Sequence, residues 1–394
     1  MLIDFIKQEL FFQYIVGAII WLFLFCIIVV FLNKSRSLTK ERKFFFLLYY
    51  VILSITGIIR IFSEFLPFTP DSLQYIKTAD NISNGGDLNL FGAFFYSDII
   101  FFIKMITFNN HYSIIFFNVF IFVIALIQLL DFLPSSKSKY FKIWGLFLLV
   151  YPSIHWFIPN ILRESIFFLC LVNIYTNSMK IFSSNFKYKN ILLLFLNFIF
   201  CVLLRPQILP MLIIWLVYLF FRKNFILGLI AFTICLSISS NEFFISEYLS
   251  KVSLDYLQAK KIEGASSIPN IAFSELIIPN TLVELITSIP FFVFRFLFSP
   301  FPWELSNIKY LFAFFDSLLM VLVFGAIILK VIFLNSRNSN ILIFSFLFIV
   351  VFGIFEIAFT GAVRHRMPYV LMLSTFLMVE NKFMINKRTY YQSK

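Results

Sequence analysis

The residues of this chain that could do chemistry lie between its apolar runs, where membrane topology gives them no task. They are Asp71, Asp80, His111, His155, Arg163, Glu164, Arg205, Glu304, Arg364, His365 and Arg366. Asp71 sits in FTPDSLQYIKTADNISNGG, residues 68–86. Asp71, Tyr75 and Thr78 are spaced i, i+4, i+7, which puts them on one face of a helix if one begins there. Asp71 or Ser72 would cap that helix. Asp71 is then either a solvated capping acid or a carboxylate held at the membrane surface as a general base for a sugar hydroxyl. Asp87 and Asp98 read as loop residues.

The basic residues suggest a second chemistry. His155, Arg163 and Glu164 share one outer turn, YPSIHWFIPNILRES, residues 151–165. Adjacent residues do not face one another on a helix, so Arg163 and Glu164 reach different partners. The plain alternative is a snorkelling Arg beside a helix-start Glu. In LLRPQILP, residues 203–210, Arg205 separates two short runs. Each run covers only about 22 Å of a hydrocarbon core about 30 Å thick, so Arg205 lies below the surface. An arginine there needs an anion or a wet cavity. In FRFLFSPFPWE, residues 294–304, Arg295 lies in an apolar piece, Trp303 suits an interface and Glu304 closes the turn. RHRMP, residues 364–368, stacks Arg364, His365 and Arg366 in one outer connection. It is either a chance basic patch or an anion clamp, since planar guanidinium forks match phosphate oxygens. Arg60 and Glu64 are spaced for a local ion pair, and Asp316 and Glu356 are intramembrane acids.

The elements that position these residues are apolar helices. The chain is 61% hydrophobic and 13% charged, with a mean hydropathy of +0.92. A soluble domain is nearer half apolar and a quarter charged. The 59 Phe residues fit an A/T-rich bacterial gene. The net charge of +12 is dispersed as clusters at the ends of apolar runs, the positive-inside pattern, and is not a nucleic-acid footprint. The basic segment containing Lys34, Arg36, Lys40, Arg42 and Lys43 places the first run, 11–32, with its start outside. The start does not read as a cleaved signal peptide. Further runs at about 44–66, 113–133, 143–158, 165–182, two short ones within 190–221, 224–240, 311–334, 340–360 and 369–380 give an all-α, polytopic helical bundle of about eleven spans, a single transmembrane domain over 1–394. Residues 67–112 form a first outer loop with a re-entrant or interfacial helix. Residues 241–310 form a long outer loop with a re-entrant segment, its apolar piece at 281–299 broken by Pro290 and Arg295. The four cysteines show no paired spacing, so neither disulfides nor zinc is expected. No Walker motif, GxGxxG, HExxH or GxSxG is present. Nucleotide-driven chemistry is therefore not expected, and an outward site would need an activated donor already moved across the membrane.

The order PDSLQY, the PS…LRE turn, the RP break, PFPWE and RHRMP resembles bacterial polysaccharide-assembly membrane proteins of the GT-C type. These include the Wzy-type O-antigen and capsule polymerases and glycosyltransferases that depend on a lipid carrier. The resemblance spans roughly residues 60–378. It implies a GT-C-like fold in the bacterial inner membrane with its active face outward. It implies polymerisation of undecaprenyl-pyrophosphate-linked repeats, with membrane lipid and a chain-length regulator protein as partners and no nucleic acid. Asp71 would be the base. Arg163, Arg205, Arg364 and Arg366 would hold phosphate or pyrophosphate, with His155, Glu164, Arg295, Glu304 and His365 beside them. Ser72 follows Asp71 where the family often has an acidic pair, so the implied mechanism uses neither metal nor cofactor. Transfer of a single sugar from a polyprenyl-phosphate donor, and transport of a lipid-linked oligosaccharide, are the alternatives.

Overall fold

The computed structural model describes residues 11–35, 38–62, 69–89, 92–133, 138–183, 187–225, 254–267, 272–273, 277–305, 307, 310–334 and 340–378. Among these, every element is helical apart from one isolated antiparallel bridge between Ala272 and Ala358. The α-helices are α1 (Phe11–Lys34), α2 (Lys40–Phe62), α3 (Pro70–Ser83), α4 (Phe95–Ile106), α5 (His111–Phe132), α6 (Ser138–Val150), α7 (Pro152–Phe157), α8 (Glu164–Phe182), α9 (Tyr188–Leu204), α10 (Leu209–Lys223), α11 (Leu254–Ser267), α12 (Leu282–Phe298), α13 (Leu311–Leu334), α14 (Asn340–Phe355) and α15 (Phe359–Met378). Six stretches are long and apolar enough to cross a membrane: Gln13–Lys34, Lys40–Ile61, His111–Phe132, Glu164–Phe182, Pro206–Lys223 and Leu311–Ile332. They mark a helical membrane protein. The expected eleven is not reached among the described residues. Tyr140–Val150, Tyr188–Leu204 and Asn340–Phe355 are apolar but short, and the run at 224–240 lies outside the described residues but for its first two.

The chain divides into two compact units. Unit 1 is Met1–Phe132 with Ile154–Leu209, and unit 2 is Leu133–Ser153 with Pro210–Lys394. In unit 1 the centre is α5, which packs against α1, α2, α4 and α8. Its apolar residues are buried on most sides, as a helix hydrophobic all round must be. On α1, by contrast, Ile15, Ile19, Leu22, Phe23 and Val30 are exposed. In a bilayer these meet acyl chains rather than water, so their exposure costs nothing. In unit 2 the corresponding centre is α15, packed against α6, α12, α13 and α14.

Several local expectations change. A helix does start at Pro70, as the spacing of Asp71, Tyr75 and Thr78 anticipates. Thr69 occupies its cap position and Pro70 its first turn, so Asp71 is a first-turn acid and not the cap. Proline suits that position because its missing N–H has no helical partner there. The 151–164 turn contains the short helix α7. Asp98 is no loop residue: it is buried on α4 and accepts a hydrogen bond from the Asn89 N–H at 3.0 Å. Pro290 and Arg295 do not break the 281–299 piece. They lie inside α12, whose start is fixed by the Thr281 hydroxyl accepting from the Glu284 N–H at 3.1 Å. RHRMP is not a loop. Arg364, His365, Arg366 and Pro368 lie within α15; inside the protein Asp316 receives Arg366 and Glu356 faces His365.

Gly353 marks a close approach of α14 to the backbone of α12 in unit 2. A Cβ there would lie 3.1 Å from the Phe292 carbonyl oxygen, a backbone atom that cannot swing aside. Gly325 on α13 has open space around it. Gly353→Leu is therefore expected to destabilise by about 1–3 kcal/mol through overpacking. Gly325→Ala should leave the protein unchanged or slightly more stable. Thermal unfolding midpoints of the two purified variants in one detergent check the contrast.

Candidate functional site

The segment from His155 to Arg205 gathers three of the flagged stretches within unit 1. Ser72, next to Asp71, donates its hydroxyl to Asn160 Oδ1 at 2.8 Å. The same oxygen accepts from the Ile161 N–H at 2.8 Å, which fixes the side-chain orientation. The Asn160 carbonyl in turn accepts from Asn118 Nδ2 at 2.6 Å, and the Leu162 carbonyl does so at 3.1 Å. Asn118 also bonds the Tyr96 hydroxyl at 2.9 Å, and the Tyr75 ring stands edge-on to Tyr96 at 5.3 Å. The far end of α3 is held by an ion pair between Asp80 and Lys104. Both ends of α3 are thus tied down, and Asp71 sits half-buried in its first turn.

The basic side of the cluster is built on helix ends. Pro206 disfavours helical geometry at the preceding residue, so α9 stops at Leu204 and Arg205 adopts φ −147° and ψ 84°. Arg205 then donates to Glu164 Oε1 at 2.7 Å, both side chains being 1% exposed. Its guanidinium also lies over the Phe167 ring at 4.9 Å. Arg163, half-buried, donates to the Leu204 carbonyl at 2.6 Å, at the carbonyl end of α9. Arg163 and Glu164 do reach different partners. Arg60 is fully buried and donates to the Trp156 carbonyl at 2.8 Å and the His155 carbonyl at 3.4 Å. Glu64, its expected partner, lies outside the described residues. The half-buried His155 ring meets Tyr49 edge-on at 6.4 Å.

Unit 2 holds a second cluster. Arg366 is fully buried. Its Nε and Nη2 donate to Asp316 Oδ2 at 2.9 and 2.6 Å, and Nη2 also reaches the Ser317 hydroxyl at 2.8 Å. Its Nη1 serves the carbonyls of Phe296, Leu297 and Ser299 at 2.6–3.1 Å. Every N–H of this guanidinium is engaged with protein, so it cannot hold a phosphate without dismantling the network. Asp316 also accepts from the Ser153 hydroxyl. Arg295 pairs with Glu304 and lies 5.6 Å from each of the Phe273, Phe291 and Phe301 rings. His365 Nδ1 lies 2.6 Å from Glu356 Oε2. Arg364 is buried in the same helix.

The sequence-flagged residues therefore form two groups. Asp71, His155, Arg163, Glu164 and Arg205 belong to unit 1, and Arg295, Glu304, Arg364, His365 and Arg366 to unit 2. Asn118, Asn160 and Lys261 were not anticipated, and Arg60 was expected only to pair with Glu64. Asn118 had a readable signal, a lone amide inside the apolar run SIIFFNVFIF. Lys261 on α11 had none. Its ammonium is buried, donates to the Ile277 carbonyl at 3.1 Å and lies 3.7 Å from the Phe292 ring centroid. Burial pushes its pKa down to about 8. Among the described residues no three His, Cys, Asp or Glu side chains gather as a metal site would require. Comparisons with protein-family models, curated proteins and solved structures returned no match.

Two outcomes are expected. Glu164→Ala and Arg205→Met should each cost about 3–5 kcal/mol, since each strands a buried charge. The double variant should lose less than the sum, and a double-mutant cycle on unfolding midpoints measures that coupling. For Lys261, the unfolded chain keeps the amine proton up to about pH 10.4, while the folded protein releases it near 8. Stability should therefore rise with pH between these values, the burial penalty being fully present below pH 8. In Lys261→Met that rise should vanish.

Proposed function

We propose that this protein is a membrane glycosyltransferase that joins lipid-linked oligosaccharide repeats, working on the face away from its basic connections. The observation that carries the reading is the Ser72–Asn160 hydrogen bond. It ties the helix bearing Asp71 to the turn bearing Arg163, so a carboxylate and a guanidinium from distant segments are fixed to one framework. The helical membrane architecture and the resemblance of the motif order to Wzy-type polymerases support the same reading.

In this mechanism the acceptor sugar hydroxyl attacks the anomeric carbon of the donor glycan as its proton passes to the Asp71 carboxylate. The bond from that carbon to the pyrophosphate oxygen breaks, its electron pair stays on oxygen, and polyprenyl pyrophosphate leaves. Arg163 contacts the charge developing on that group, the electrostatic help that dominates many such reactions. The Glu164–Arg205 pair is a positioning device that fixes the end of α9, whose carbonyl holds Arg163. Arg366 has a structural role in unit 2.

The test is deletion of the gene in its host, followed by complementation at matched protein levels. Asp71→Asn and Arg163→Ala should each cut glycan polymerisation by about a hundredfold or more, leaving single repeats in place of a ladder. A normal ladder in both variants sinks the site assignment. A wild-type product carrying one added sugar instead of a ladder points to the single-sugar transferase. Lipid-linked repeats that stay on the inner face in the deletion strain point to a transporter.

A further inference from the structure

Helix α4 carries its charges on its buried face. It buries Ser97, Asp98 and Lys104 and exposes Phe102, Met105 and Ile106. The exposed three are spaced i, i+3, i+4, so they form one apolar face. The buried charges are received within unit 1: Lys104 pairs with Asp80 of α3, and Asp98 accepts from the Asn89 N–H. A helix bordered by water shows the opposite order, polar face out and apolar face in. Its neighbour α3 has that order, exposing Gln74, Lys77 and Asn81 while Tyr75, Ile76 and Ala79 are buried. The two helices lie side by side. Tyr75 meets Tyr96 at 5.3 Å toward the start of α4, and Asp80 meets Lys104 toward its end.

The ends of α4 fix its direction. At its start, the Phe95 ring stands edge-on to Phe200 at 5.9 Å, one turn before α9 stops at Leu204. At its end, Thr107–Asn110 lead straight into α5 at His111. Leu204 and His111 are the helix ends remote from the basic connections, since Lys187 and Lys189 lie at the other end of α9 and Lys139 and Lys142 follow the other end of α5. Both ends of α4 therefore sit at one face of unit 1, and α4 runs along that face instead of through the bundle. Its 12 residues reach about 18 Å, too short to cross a hydrocarbon core about 30 Å thick.

The turn after α4 extends the apolar face. Phe108 has φ 52° and Asn109 φ 65°, the left-handed region that a bulky aromatic residue enters at a cost. Hydrogen bonds hold the turn there. The Asn109 N–H donates to the Lys104 carbonyl at 2.7 Å, and Asn110 Oδ1 accepts from the Ser113 N–H at 3.0 Å. Phe108 is nevertheless 68% exposed. A strained backbone that presents a bare ring gains nothing in water, whereas the same ring sunk into a membrane boundary gains its transfer from water.

We infer that α4 and the Phe108 turn form a membrane-docking surface. Helix α4 lies flat in the lipid leaflet on the face away from the basic connections, with Phe102, Met105, Ile106 and Phe108 among the acyl chains and α3 on its water side. The partner is the bilayer boundary itself, which suits a short helix with an apolar outer face and paired charges beneath. A re-entrant course would sink one end of α4 toward the midplane, whereas Phe95 and Ile106 both lie beside helix ends of the same face. Because α3 rides on α4, Asp71 is held at the boundary between lipid and water, whatever reaction it serves.

The experiment places single nitroxide labels on the full chain in nanodiscs of phosphatidylcholine and phosphatidylglycerol, after the native cysteines are replaced by alanine. Collision with oxygen, which concentrates in hydrocarbon, is compared with collision with a water-soluble nickel chelate. Labels on Phe102→Cys, Met105→Cys, Ile106→Cys and Phe108→Cys should show an oxygen-to-nickel ratio at least about fivefold above labels on Gln74→Cys, Lys77→Cys and Asn81→Cys. Equal ratios overturn the inference, as does exclusion of both reagents from the α4 labels, the result of a second copy covering this face. A second measurement needs no substitution. Phospholipids with a diazirine close to the glycerol should label residues 102–108 at least about fivefold more than phospholipids with it at the end of the acyl tail. Stronger labelling from the tail end means that α4 enters the bilayer core, and no labelling from either means that it stands clear of lipid; each result sinks the docking surface.

Discussion

A charge inside an apolar helix must bring its opposite with it, and the pairing of Arg366 with Asp316 states that constraint most fully. Both side chains are fully buried. An arginine at the centre of a bilayer costs at least about 2.5–3.5 kcal/mol on insertion scales, and the same guanidinium left unpaired in a packed core costs about as much again. The solution in unit 2 is to spend all of its donors on one carboxylate, one hydroxyl and three carbonyls. Because those carbonyls close α12, the same arginine fixes where α12 ends and the 299–304 turn begins. Arg205 and Glu164 do comparable work in unit 1, where their bond secures the break between α9 and the turn that follows.

This constraint also explains what could be read from the sequence. The long spans were legible because hydrophobic length and flanking lysines are local properties. The start of α3 was legible from the proline and the spacing that follows it. RHRMP was not, because reading three cations as a loop assumes that no acid waits for them. Asp316 and Glu356 were visible as intramembrane acids, but nothing in one sequence says which arginine or histidine each will meet. Pro290 misled for a related reason. It removes one helical bond, yet packing of α12 against α14 and α15 keeps the helix continuous.

The candidate site was legible in its residue types and less so in its grouping. Asp71, Arg163 and Arg205 come together in unit 1 through Ser72, Asn160 and Glu164. The link that matters most, Asn160, sits in a loop where an amide looks ordinary. Its role depends on Asn118 and Ser72 arriving from elsewhere in the chain, which is a property of the fold. The arginines also changed character. As isolated cations they suggested a phosphate clamp, whereas Arg205, Arg295 and Arg366 already face carboxylates. Arg163 is half-buried and shares its turn with Asn160, which accepts from Ser72 on the helix bearing Asp71.

The buried pairs also set an order of assembly. The chain is made from its first residue, and in two of the buried pairs among the described residues the acid comes first: Glu164 precedes Arg205 by 41 residues and Asp316 precedes Arg366 by 50. As α13 leaves the ribosome it therefore carries a carboxylate whose counterion has not yet been translated. Hydrocarbon is a poor place for that carboxylate to wait. Asp316 and Arg366 each sit at lower cost once α13 and α15 are packed together, so the two helices depend on one another for their place in the membrane.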